Sequence, residues 1–170
     1  LALLSNWSFT ELSEHLRHCT QAKWNQGRSG GLLRYWDPRL FLAVSETLSP
    51  QQGRWFHAPV STWHWLDRDG QPSQLAGQPA RHSEQPQPLP TLELSNEQVA
   101  QVIAWTSAES FRQDWYIQPL DHGFSGQEQL LRHLVHAQLA ADRERLHDLE
   151  QREAFMQRWL AERSAREAAV

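Results

Sequence analysis

Twenty residues in the middle of the chain decide how the rest can be divided. From Gln71 to Pro90 there are five prolines and five glutamines, with Ser73, Gly77 and Ser83 among them. A segment of this make-up buries too little apolar area to offset the entropy of ordering it. It reads as a mobile linker or long surface loop. A Pro-rich docking ligand at Pro86-Gln87-Pro88-Leu89-Pro90 is the weaker reading, because the run is short and lacks an adjacent basic residue. The sequence therefore predicts a lobe over 1–70, a connection over 71–90 and a second lobe over 91–170.

The first lobe mixes helix and strand signals. Ser8 and Glu11 form a capping box ahead of Phe9, Leu12 and Leu16, which predicts a helix from Phe9 to Cys19. Gln21 to Asn25, a Gly-rich turn and then Leu32 to Trp36 read as a hairpin. At Asp37 the pattern changes: Asp at an N-cap followed by Pro38 at the first helical position starts a helix carrying Leu40, Phe41, Val44 and Leu48. Ser49-Pro50 repeats that signal. Trp55-Phe56-His57 and Val60 to Leu66 look like strands, with Trp63 and Trp65 leaving one face, and Asp67-Arg68-Asp69-Gly70 closing the second in a turn. Among nine tryptophans, Trp7, Trp24 and Trp36 are expected in the core, whereas the Trp63/Trp65 pair suits either a core or a partner surface.

Beyond the connection the pattern is helical. Ser95 and Gln98 form a capping pair before Val99, Val102, Ile103, Phe111 and Trp115, a run reaching about Tyr116. Pro119 and Gly123 break it. Leu130, Leu131, Leu134, Val135 and Leu139 mark a second helix, and Leu146, Leu149, Phe155, Met156, Trp159 and Leu160 a third. Asp142 to Arg158 alternates in charge as a solvated helix face does, and the tail to Val170 is expected as a frayed helix. The fold class is α+β, a small α/β lobe followed by an all-helical lobe of about three helices.

Several function classes drop out. A net charge of −4 with a pI near 6.1 does not supply the basic patch that nucleic acid requires. Apolar runs are a few residues long, far short of the roughly 20 a spanning helix needs, and no signal peptide pattern opens the chain. The single Cys19 rules out an internal disulfide and reads as a small buried hydrophobe. His15 and His18 lack a third ligand nearby; His133 and His136, with His122 and His147, offer a zinc site only if the last helices fold back antiparallel, and neither H-E-x-x-H nor a Cys/His metal spacing occurs. Asp67 and Asp69 read as turn formers, the Gly-rich turn has no phosphate-loop spacing, and no serine sits in a nucleophile elbow. No catalytic residue, metal or cofactor is expected. The chain opens without Met on the apolar Leu1-Ala2-Leu3-Leu4, which reads as the end of a buried strand whose upstream part is missing.

Arg34-Tyr35-Trp36-Asp37-Pro38-Arg39, with Ser8 to Arg17 upstream and the aromatic strand around Trp63 downstream, resembles the effector-chaperone (adaptor) family of bacterial type VI secretion. The resemblance runs from about Leu3 to Trp65, and more weakly through the helical tail, matching the C-terminal part of that domain. It implies a cytoplasmic, non-enzymatic adaptor whose partners are a secreted effector (toxin) and the VgrG spike, with no nucleic acid and no membrane. An immunity protein or other interaction module is the alternative, and a metal-dependent enzyme a more distant one. Within the motif Asp37 is expected to cap the helix, Arg34 to pair with a carboxylate or exposed carbonyls, and Arg39 to point outward. An adaptor holds cargo on a broad surface with a few aromatic anchors, and Trp63, Trp65, Trp115, Phe155 and Trp159 are the candidates.

Overall fold

The computed structural model describes residues 1–84 and 89–167, with side chains to residue 162. The chain is α+β and divides into two compact units, Leu1–Val99 and Ala100–Val170.

The first unit begins with strand β1 (Ala2–Leu4) and helix α1 (Phe9–Cys19), whose N-terminus carries the complete Ser8/Glu11 capping box. Strands β2 (Gln21–Trp24) and β3 (Ser29–Leu32) form an antiparallel hairpin. Its loop holds Asn25, Gln26 and Gly27 in the left-handed region, φ 52°, 57° and 76°. Helix α2 (Pro38–Thr47) is capped by the Asp37 carboxylate, and α3 (Pro50–Phe56) by a Ser49/Gln52 box. Strands β4 (Thr62–Leu66) and β5 (Pro72–Ala76) follow, then a 3-10 turn at His82–Glu84 and the short strand β6 (Leu92–Glu93). Two three-stranded sheets result: β1-β4-β5, antiparallel, and β3-β2-β6, in which β6 joins β2 in parallel. Trp63, Trp65, Phe41, Tyr35, Phe56, Val60, Leu92 and Leu94 fill the core between helices and sheets.

Several expectations are corrected. Trp55 and Phe56 end a helix, because the Ser49 cap and Pro50 carry α3 further than one turn, and both side chains are buried. The strand expected at Leu32 to Trp36 stops at Leu32, since Tyr35 N–H turns to the Leu33 carbonyl and Asp37 N–H to Arg34. Trp36 is 41% exposed instead of core. The stretch expected as a linker contains β5, which pairs with all of β4 from Leu66↔Pro72 to Thr62↔Ala76. Composition misleads there because backbone ladder bonds, not apolar side chains, hold an edge strand, and Pro is tolerated at its first position. The strap continues: Gly77 N–H donates to Ser61 O, Gln78 N–H to His57 O and Ala80 N–H to Ala58 O. Gly77 lies so close that an added Cβ would fall 1.7 Å from the Val60 carbonyl oxygen. Likewise β6 falls in the stretch expected to be all helical. Residues 85–88 of the Pro-rich run, and 168–170 of the tail, lie outside the described residues.

Helix α4 (Asn96–Asp114) starts in the first unit and continues into the second, which adds α5 (Gln127–Arg143) and α6 (Leu149–Glu167). Leu130, Leu131, Leu134, Ala137, Ala141, Met156 and Leu160 are buried, a stripe at helical spacing on α5 and α6. Arg152 fastens α6 to α5 through Nε to Gln138 Oε1 (2.7 Å) and Nη1 to Asp142 (2.6 Å). Both α4 and α5 end in a Schellman turn: Ile117 N–H reaches Arg112 O and Leu146 N–H reaches Ala141 O. The left-handed position is Tyr116 (φ 52°) in one and Arg145 (φ 58°) in the other, where glycine is the usual residue.

Candidate functional site

The motif at residues 34–39 is a corner between β3 and α2, and its chemistry is local. Asp37 is 8% exposed and accepts from Arg39 N–H (3.0 Å), Arg39 Nε (3.0 Å) and Arg39 Nη2 (2.8 Å), with Arg34 Nη2 at 3.5 Å. One carboxylate thus caps the helix and gathers two guanidinium groups. The Arg39 hydrogen bonds hold the Asp37 carboxyl below the usual carboxylate range, against the opposing effect of burial. Asp37 and Arg34 sit as expected; the Arg39 side chain is 56% exposed, as expected of an outward residue, and its guanidinium also engages Asp37 at two points, Nε and Nη2, a contact that costs little entropy because the helix cap already fixes the carboxylate. Its carbonyl accepts from Arg68 Nη2. Tyr35 points inward, its hydroxyl donating to Leu16 O (2.9 Å) and its ring edge-on to Phe56 (5.1 Å). The corner is a built structural joint.

Trp63 and Trp65 leave the same face of β4, as the alternation predicts, and that face is the core. They are 0% and 8% exposed and meet Phe41 at 4.9 and 5.0 Å between ring centroids. They are not exposed anchors in this fold, because the ring mass of α2 and α3 packs directly on them. The same core takes in two imidazoles that the sequence did not mark as buried. His15 and His57 are 1% and 6% exposed, and burial pushes each down to about 4. Both are therefore neutral at pH 7. Their Nδ1 atoms, and Trp63 Nε1, have no hydrogen-bond partner among the described residues. Cys19 is fully buried in this core and burial raises its thiol, which leaves it unsuited to nucleophilic chemistry.

In the helical unit a surface groove of about 310 Å³ is lined by Phe111, Asp114, Trp115, Leu149, Glu153 and Met156, among others. Trp115 is 47% exposed, as its expected role requires. Phe155 is 9% exposed and packs on Ala140, Ala141 and the half-buried Trp159, so those two belong to the core. Exposed apolar groups that sequence reading missed accompany Trp115: Tyr116, Leu120 and Leu149 are 84%, 82% and 71% exposed. Tyr116 and Leu120 follow the end of α4, beyond the reach of a helical-period argument, and Leu149 shares the apolar spacing of α6 but precedes its buried stripe, which begins at Phe155. His133 lies between the Phe124 and Trp159 rings, whereas His136 and His147 are exposed. Among the described residues no three His, Cys, Asp or Glu side chains are grouped to hold a metal ion, and no helix is long and apolar enough to cross a membrane.

What the arrangement offers is an aromatic-cored unit with an ionic corner and a helical unit with a mixed groove, in which Phe111, Trp115, Leu149 and Met156 stand beside Asp114, Glu153, Arg152 and several hydroxyl and amide side chains. Comparison with known proteins adds one finding to this geometry: no curated protein and no solved structure matches the chain, but residues 1–54, which include the whole corner motif and stop short of Trp63, match the family described as "Domain of unknown function (DUF4123)".

Proposed function

We propose that this chain is a non-enzymatic adaptor of bacterial type VI secretion that binds one effector toxin in the cytoplasm and helps load it onto the VgrG spike. The observation that carries the reading is the corner motif Arg34–Arg39 lying inside residues 1–54, the stretch that matches a family associated with type VI effector adaptors. Two physical features support it. The first unit invests its aromatic residues in a core and its motif in a joint, as a scaffold does. The second presents Trp115 and Leu149 in one groove, with the exposed Tyr116 following Trp115 in the chain, and large rings of this kind supply contact area at low entropic cost. A protein partner held and later released suits such a surface better than a deep polar pocket.

Co-expression tests the reading. The chain is produced with a candidate type VI toxin and a VgrG protein from the same genome, and both are expected to co-purify with the toxin still active once released. A Trp115→Ala, Tyr116→Ala double variant is expected to lower toxin capture about tenfold or more, with circular dichroism unchanged. A complex in which the toxin is inhibited and VgrG absent would make this an immunity protein instead, and capture of neither partner would overturn the adaptor reading.

A further inference from the structure

We propose that the outer edge of β3, Ser29–Leu32, is a strand-addition site for an extended acidic segment of a partner protein. Among the described residues the strand has one neighbour, since the sheet order β3-β2-β6 leaves it at an edge. Leu33 N–H donates to Thr20 O, which sets the phase of the hairpin ladder. With the register Ala22↔Gly31 and Lys23↔Gly30, the alternation of an antiparallel pair turns Gly31 towards β2 and the N–H and C=O of Gly30 and Leu32 outward.

Edge strands are ordinarily protected by a charge, a proline, a bulge or a covering element. Here the strand is short, four residues, but reads Ser-Gly-Gly-Leu, with no charge or proline in it, and among the described residues no third strand pairs with it. Gly30 and Gly31 put no side chain in the way of an incoming backbone, and Leu32, 65% exposed, offers it an apolar contact. Strand addition takes its affinity from main-chain bonds and its selectivity from side chains at the margins.

Those margins are basic. Although the whole chain has net charge −4, the stretch between Glu14 and Asp37 contains Arg17, Lys23, Arg28 and Arg34 and no Asp or Glu. Lys23 has Glu93 opposite it in the β2–β6 pair, so the charge that remains brackets the edge at Arg28 and Arg34. The Arg34 side chain is 59% exposed, and its 3.5 Å contact is with a carboxylate that Arg39 already engages twice. Cations at both ends of an open strand select an acidic segment over a neutral or basic one. The inference does not rest on the adaptor reading.

The test uses the full chain and three synthetic peptides: an alternating Glu/Val hexapeptide, its Lys/Val counterpart, and the Glu/Val peptide with a central proline. Amide shifts from NMR are expected to move at 29–32 with the Glu/Val peptide, and to move little with the other two. Leu32→Pro removes an outward N–H without touching the β2 ladder or the core, and is expected to weaken binding about fivefold, the value of one hydrogen bond. Arg28→Glu is expected to weaken it by a similar factor and carries the test if the proline variant misfolds. Equal binding of the basic peptide, or shifts located away from β3, would overturn the proposal. So would a concentration-dependent dimer that Leu32→Pro abolishes, because the edge would then hold a second copy of this chain.

Discussion

Asp37 combines a helix cap with an ion pair in one side chain. It caps α2 and holds Arg39 at two points, so Asp37→Ala should cost about 2 kcal/mol, a cap together with a charge-assisted contact, measured by urea unfolding. Arg39→Ala leaves the cap in place and should cost less than half as much; equal losses would make the ion pair and not the cap the source. Because the folded carboxyl is held below its ordinary range, the contribution is complete above about pH 4 and disappears as pH falls through the folded value. The two buried imidazoles act in a higher window. Folded His15 and His57 take a proton only near pH 4, the unfolded chain near 6.5, so stability should rise between those limits and level off above them. The expected size is about 3 kcal/mol per imidazole. His57→Phe keeps a ring among Phe41, Phe56 and Trp63 and removes the titration. Unfolding free energies at pH 5 and pH 7 should differ less in the variant than in the parent, and an unchanged difference would assign the slope elsewhere.

At the scale of elements, legibility in the sequence followed the locality of the signal. The caps at Ser8, Asp37 and Ser49 were readable because each is a side chain bonded to backbone two or three residues away. The three helices of the second unit were readable from apolar spacing. Strand β5 was not, because its reason for existing is β4, and β6 was not, because its partner β2 lies some seventy residues earlier in the chain. The candidate site divides the same way: the exposure of Trp115 belongs to the end of a helical run, but which face of β4 is covered is settled by α2 and α3, so Trp63 and Trp65 are legible as a same-face pair and not as core. Two substitutions probe non-local and local constraints in turn. Gly77→Ala places a methyl against the Val60 carbonyl, where backbone must move, and should cost about 3 kcal/mol or more. Tyr116→Gly removes a left-handed non-glycine residue whose side chain is exposed and should raise the melting temperature, a gain of about 1 kcal/mol. A destabilised Tyr116→Gly would mean that the ring contributes packing that outweighs its backbone strain.

For the molecule as a whole, the boundary between units falls after Val99 rather than in the Pro/Gln-rich stretch, and this has a measurable consequence. A chain cut after Glu84 keeps α1 to α3 and β1 to β5, yet it lacks Leu92 and Leu94, 1% and 8% exposed in the core. It also lacks Gln98, whose amide donates to Thr47 O and Gln52 Oε1 at 2.8 and 2.7 Å, and Val99, which packs on the same core. Two buried leucines at about 2 kcal/mol each, with the β2 ladder bonds besides, approach the whole stability of an ordinary domain. A chain cut after Asp114 retains all of these groups. The longer fragment should therefore keep the near-ultraviolet circular dichroism of its buried tryptophans and a cooperative melt, while the shorter loses both. If the two fragments melted alike, β6 and the first turn of α4 would be accessories to the aromatic core, and the composition break at Gln71 to Pro90 would mark the real end of the first unit.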